Sequence, residues 1–119
     1  MSRLFDAVIS RNVVAAEAVL RKDGVDVDAV DDGWTCLTRA AGRGDVDMMR
    51  LLLRHGAAVD APDGSRWTAL MMATVHGSTD AARTLLDHGA TVDARDKYLF
   101  ISIAKLLGTA AKSNLRQPR

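Results

Sequence analysis

The sequence predicts an all-α solenoid: short helices paired into helix–turn–helix units, joined by hairpin-like loops and stacked in a row. Three observations carry that expectation. A step of 33 residues relates Thr35, Leu37, Ala40, Gly44, Asp47, Leu52 and Gly56-Ala57 to Thr68, Leu70, Ala73, Gly77, Asp80, Leu85 and Gly89-Ala90. A unit of that length cannot bury its apolar face alone, so neighbours must stack. Within each unit the apolar residues recur at three and four residues, the spacing of one helix face. Glycine followed by Asp or Ser marks the point where one helix ends and the next begins.

The first unit, residues 1–29, is a degenerate copy. Leu4-Phe5-Asp6-Ala7-Val8 through Glu17-Ala18-Val19-Leu20 aligns with the later units, with Arg11-Asn12 in place of the glycine break. Its exit, Gly24-Val25-Asp26-Val27-Asp28-Ala29, matches the later exits after a one-residue insertion. The second unit, 30–61, opens on turn chemistry at Asp31-Asp32-Gly33, where Asp tolerates turn geometry and Gly supplies a positive φ. Thr35 can cap a helix through its hydroxyl. Leu37, Ala40 and Ala41 give that helix an apolar face, Gly44 ends it and Asp45 caps the next. Val46, Met49, Leu52 and Leu53 are expected as the second helix's buried stripe, with Met48 and Met49 in the core and Arg50 and Arg54 outside. Gly56 closes the unit, and Ala57 to Ala61 leads out extended. The third unit, 62–94, repeats this plan through Thr68, Leu70, Ala73, Gly77, Ser78, Ala82, Leu85, Leu86 and Gly89. Its loop, Pro62 to Arg66, is one residue longer, which an exposed loop tip tolerates.

Gly33-Trp34-Thr35-Cys36-Leu37 through Gly44-Asp45, then Leu51-Leu52-Leu53-Arg54-His55-Gly56-Ala57-Ala58-Val59-Asp60-Ala61, resembles an ankyrin repeat. So does Trp67-Thr68-Ala69-Leu70 through Leu85-Leu86-Asp87-His88-Gly89-Ala90-Thr91-Val92-Asp93-Ala94. The resemblance covers about residues 3–98, within a repeat region at 1–98, and implies a hairpin-like turn plus two antiparallel helices per unit. The first unit would be an N-terminal cap with a more polar outer face.

Three features depart from the family pattern. Cys36 and Ala69 stand where the family has proline after the capping Thr, and Thr38 and Met71 stand where it has His. These changes are expected to lower stability and to remove a hydrogen bond between neighbouring loops. After Lys97 the pattern is lost. Residues 95–119 read as a divergent capping helix, at 98–112, and a basic tail. This is either a divergent cap or an array shortened by splicing or truncation.

Composition narrows the function. The chain has 119 residues and is 48% hydrophobic but only 4% aromatic, so Leu, Val, Ala and Met must build the core. A net charge of +1 argues against a nucleic-acid footprint. The last 23 residues carry +5 through Lys97, Lys105, Lys112, Arg116 and Arg119. A solvated tail accounts for this, and a weak anionic contact is the functional alternative. Cys36 is the only cysteine, which leaves no internal disulfide or Cys-based zinc site and suits a reducing compartment. Asp6 and Arg11 interrupt the first apolar stretch, so no signal peptide is expected. Nor is a membrane span, since no uncharged apolar run approaches about 18 residues.

No catalytic, metal or cofactor site is expected. His55 and His88 are equivalent helix-end residues with His76 nearby, and three converging ligands are lacking. Asp26, Asp28, Asp31 and Asp32 read as solvated turn residues. Cys36 reads as a buried helix-start thiol. No phosphate loop, nucleophile elbow or zinc-protease motif appears.

The candidate partner-binding set is Asp32, Trp34, Thr38, Arg39, Arg43, Arg66, Trp67, Met71, Met72, Val75 and His76. In ankyrin proteins the loop-and-first-helix side that carries them is the concave groove. Trp, Arg and Met together resemble an interface composition, although the two tryptophans could equally shield the loops. The implied function is binding of a protein partner, with Arg39, Arg43 and Arg66 favouring acidic groups on it. The alternatives are a short isoform or fragment of a larger ankyrin scaffold, and an ankyrin-type inhibitor of an enzyme such as a kinase. A cytoplasmic location is expected, with the nucleus as the alternative. Exposed Leu99, Phe100 or Ile103 would favour weak self-association through the C-terminal helix.

Overall fold

A computed structural model of the chain describes residues 3–22, 24–92 and 104–105. Among these residues six helices are delimited in order: α1 (Arg3–Ile9), α2 (Val13–Leu20), α3 (Cys36–Arg43), α4 (Val46–Arg54), α5 (Ala69–Val75) and α6 (Thr79–Asp87). They pair within units, α1 on α2, α3 on α4 and α5 on α6. Between units α3 packs on α1 and α5, while α4 packs on α2 and α6. Two layers result, one of first helices and one of second helices. Among the described residues no helix is long and apolar enough to cross a membrane.

The core runs along the junction of the layers. Leu4, Val8, Met48, Met49, Leu51, Leu52, Leu70 and Leu85 are fully buried. Ala16, Ala40, Ala41, Ala69, Ala73, Ala81 and Ala82 are buried between them, and their small size lets the helices approach closely. The buried stripe of α4 is shifted from the one expected. Leu51 joins the expected Met48, Met49 and Leu52, while Val46 and Leu53 are only half-buried. The reason is that α4 has helix neighbours on three sides.

The helix breaks show what the repeat demands of the backbone. Gly44 and Gly77 have φ of 69° and 68°, left-handed values at which glycine carries no side-chain penalty. Arg11 holds the same place with φ 57°. Its guanidinium donates to the Arg43 carbonyl at 3.1 Å and lies 4.0 Å from Asp45 Oδ2. Arg43 in turn donates to the Ile9 carbonyl. Successive breaks are thereby stapled together.

Caps follow the expected plan with one correction. Asn12, Thr35, Asp45 and Thr68 each accept a backbone N–H of the following helix through the side chain. Ser78 occupies the cap of α6, but its hydroxyl makes no cap bond.

Neighbouring units are tied in two further places. The exits contain a turn rather than running fully extended, closed by Ala29 N–H on the Asp26 carbonyl and by Ala61 N–H on the Ala58 carbonyl. From these turns Asp28 accepts Ala58 N–H at 2.9 Å. Asp60 accepts Thr91 N–H at 2.9 Å and the Thr91 hydroxyl at 2.7 Å. Asp28 is therefore a structural acceptor, not merely a solvated turn residue. At the hairpin tips Gly64 N–H donates to the Gly33 carbonyl at 3.0 Å. The loops keep a direct hydrogen bond despite the missing His, because the backbone supplies it.

The expected helix at 98–112 lies outside the described residues except for Ala104 and Lys105, which are helical, with Ala104 packed against the core. Asp93-Ala94 and the self-association residues Leu99, Phe100 and Ile103 also lie outside them.

Candidate functional site

Two hairpins and one helix build the site. In the first hairpin Asp31 and Trp34 exchange both backbone hydrogen bonds, at 2.8 and 3.0 Å. The two residues between them, Asp32 and Gly33, have φ of 52° and 84°. Positive φ at both central positions is the type I′ turn, for which Asp-Gly is a preferred pair. The turn delivers Trp34 to the base of the loop, just before the Thr35 cap.

The second hairpin absorbs its extra residue without losing this plan. Asp63 N–H donates to the Trp67 carbonyl at 2.8 Å, and Arg66 N–H donates to the Asp63 carbonyl at 3.0 Å. Asp63 Oδ1 accepts from Ser65 N–H at 2.7 Å and from Trp67 N–H at 3.0 Å. Arg66 takes the left-handed seat that closes such a three-residue loop, with φ 68°. Gly64 lies so close to the first hairpin that a Cβ on it would sit 3.2 Å from Gly33 Cα.

This stacking brings Trp34 and Trp67 to one cavity of about 350 Å³. The first hairpin contributes Asp32, Gly33 and Trp34, the second Asp63, Ser65 and Trp67, and α5 adds Met72 and Val75. Trp67 is 37% exposed and Val75 is 63% exposed.

Five of the candidate residues, Asp32, Trp34, Trp67, Met72 and Val75, line the cavity. The others are placed elsewhere. Thr38 is fully buried and cannot meet a partner. Its hydroxyl accepts from Thr35 N–H at 3.0 Å and from the Thr35 hydroxyl at 2.9 Å, and donates to the Thr35 carbonyl at 3.0 Å. Thr35 Oγ1 accepts Thr38 N–H at 3.0 Å in return, completing a capping box. Met71 is half-buried against the core. Arg39 lies over the Trp34 ring, its guanidinium carbon 4.9 Å from the centroid, and its buried Nε has no hydrogen-bond partner among the described residues. Arg43 is engaged with the Ile9 carbonyl. Arg66 is exposed at the loop tip, outside the cavity lining. His76 ends α5 with Nδ1 2.9 Å from the Met72 carbonyl, and a carbonyl acceptor requires the proton on Nδ1.

Sequence reasoning missed Asp63, Ser65 and Gly33 as lining residues. The available signal was the Asp-Gly pair in both loops, obscured in the second by the insertion. Cys36 is buried, and its thiol is pushed up to about 12, first by burial and then by the charge of Asp31. It is a neutral thiol at physiological pH and a poor nucleophile. Among the described residues no group of three His, Cys, Asp or Glu side chains is placed to hold a metal ion.

The comparisons with known proteins bear on the family and the fold. The family model for ankyrin repeats, three copies, matches residues 4–96. The mouse (Mus musculus) 2-5A-dependent ribonuclease is 45% identical over 58 residues, which are 47% of this chain and 8% of the ribonuclease. The crystal structure of the ankyrin repeat domain of Bcl-3, described as a unique member of the IkappaB protein family, superposes with a TM-score of 0.71 at 34% identity. That match covers 76% of this chain and 40% of the other, so the chain spans well under half the length of either relative.

Proposed function

We propose that this chain, which belongs to the ankyrin-repeat family, holds a protein partner on its loop-and-first-helix face, with the contact centred between Trp34 and Trp67. Ankyrin repeats are protein-interaction modules. The observation that carries the location is the cavity itself, which joins two tryptophans from successive units to the exposed Val75. Large aromatic side chains that lose water on association dominate binding energetics. The mechanism is steric and electrostatic, without bond chemistry. A cytoplasmic or nuclear setting suits the single reduced cysteine.

Trp67→Ala is the clean test, because Trp67 is exposed and its removal leaves the core intact. Quantitative capture from source lysate is expected to lose partners in the variant. Truncating an aromatic hot spot costs about 2 kcal/mol, or about thirtyfold in affinity. Partners retained at wild-type affinity would show that the site is elsewhere. The likeness to a member of the IkappaB family fits a second reading, in which the bound protein is an enzyme and the chain inhibits it. Adding the purified chain to the captured partner's activity assay separates inhibition from passive scaffolding.

A further inference from the structure

We propose that the cavity between Trp34 and Trp67 receives a lysine or arginine side chain of the protein partner, its charge answered by Asp32 and Asp63. This rests on the reading of that face as the partner-binding surface and names the chemistry it recognises.

The sequence points the opposite way, since Arg39, Arg43 and Arg66 would favour an acidic partner. The fold redistributes those charges. The Arg43 guanidinium is bonded to the Ile9 carbonyl in the preceding unit. Arg39 lies over Trp34, and neither it nor Arg66 lines the cavity. Its lining combines two carboxylates and two indoles with Gly33, Ser65, Met72 and Val75, and holds no cation. Asp32 makes no hydrogen bond or ion pair among the described residues and is exposed at the type I′ turn. Asp63 receives both of its loop N–H groups on Oδ1, and no hydrogen bond among the described residues uses its Oδ2.

A long basic side chain matches that lining at both ends. Its methylene stem covers apolar surface while its charged head stays at a polar mouth. A cation is also drawn to an indole face, where an anion is not. A purely aliphatic side chain would fill the same space and desolvate the carboxylates with no compensating charge. An acidic side chain would meet two like charges.

The chain's only two tryptophans both line this cavity, so intrinsic fluorescence reports on it selectively. The probes are blocked pentapeptides, Ac-Ala-Ala-Xaa-Ala-Ala-NH2, with Xaa as Lys, Arg, norleucine or Glu, titrated into the whole chain. Lys and Arg peptides are expected to shift the emission and to bind about fivefold more tightly than the norleucine peptide, with Glu weakest. Asp32→Asn keeps the left-handed turn, which Asn tolerates, and is expected to erase the preference for Lys and Arg over norleucine. Arg66→Gly removes a nearby like charge and is expected to strengthen binding of the basic peptides. An acidic-partner site predicts the reverse for that variant.

Norleucine or Glu equal to or better than Lys would overturn the inference while leaving the face as a binding surface. So would silence from every peptide in a chain whose Trp67→Ala variant loses its partners. Silence from every peptide, with partners retained by Trp67→Ala, would overturn both the inference and the reading beneath it.

Discussion

The second and third units are built on one plan, yet they satisfy their local chemistry differently. In the unit of α3 and α4 the helix start is a closed polar clasp, in which Thr35 and Thr38 exchange four hydrogen bonds out of contact with water. In the unit of α5 and α6 the equivalent pair is Thr68 and Met71, and one N–H contact at 3.3 Å remains. Trp34 is half-buried and covered by Arg39, whereas Trp67 is exposed beside Met72 and Val75. Asp45 caps α4, and Ser78 leaves α6 without a side-chain cap. The second unit closes its helix start with polar bonds, and the third presents the more exposed apolar surface. Internal hydrogen bonding and apolar exposure are thus divided between neighbours that share a sequence pattern.

The sharpest way to break this comparison is to substitute the same position in each unit. Thr38→Val keeps the side-chain shape but removes the acceptor used by Thr35 N–H and the Thr35 hydroxyl. Buried donors left unpaired cost about 1–3 kcal/mol each, so a loss of about 3 kcal/mol is expected in denaturant unfolding. Met71→Leu, a near volume-conserving change at the equivalent place, is expected to cost less than about 1.5 kcal/mol. Equal losses would show that the clasp contributes nothing beyond ordinary packing.

The first helical position offers a second contrast, Cys36 in α3 against Ala69 in α5, both buried. The Cys36 thiol is raised from 9.0 to about 12 in the folded chain. Below pH 9 both folded and unfolded chains carry the proton, and the contribution is complete. As pH rises from 9 toward 12 the unfolded chain ionises while the folded one does not, so stability falls by about 1.4 kcal/mol per pH unit from this group. Cys36→Ala copies the third unit into the second and is expected to flatten the alkaline limb of a stability–pH curve over that window. An unchanged slope would mean that the thiol is not held neutral by burial.

The helices, their breaks and most of the core were legible because they depend on residues close in sequence. Gly44 and Gly77 ended helices where the 33-residue step placed them, and the tryptophans fell on one side together. The charge of the site was not legible, because it is decided by partners far along the chain. Arg43 is drawn away by a carbonyl in the preceding unit, and Arg39 by an indole in its own. Thr38 looked like a surface polar residue until its hydroxyl found Thr35. Asp63 was hidden by the inserted loop residue, which shifts it out of register with Asp31. A repeat pattern reports where a side chain sits, and only the assembled stack reports what its charge is already bound to.

The missing cap on α6 has a geometric cause that yields the smallest and most specific expectation. The caps at Thr35 and Thr68 have ψ of 161° and 165°, and there a hydroxyl reaches the N–H of the third helical residue. The caps inside the units, Asn12, Asp45 and Ser78, have ψ of 90°, 80° and 87°. At that turn angle the longer arms of Asn12 and Asp45 reach the N–H at 3.0 and 3.4 Å, and the shorter Ser78 makes no such bond. Ser78→Asp is therefore expected to stabilise the chain by about 0.5–1 kcal/mol, through a new cap bond and a carboxylate at the positive end of α6. Ser78→Asn separates these two contributions, because it supplies the arm without the charge. If Asn recovers most of the gain in thermal unfolding, reach is the cause. A gain with Asp alone, fading as salt is added, would assign the effect to the helix dipole. With neither variant stabilising, the open cap would belong to the packing of Ser78 against Gly44, where its Oγ already lies 3.2 Å from the place a Cβ would occupy.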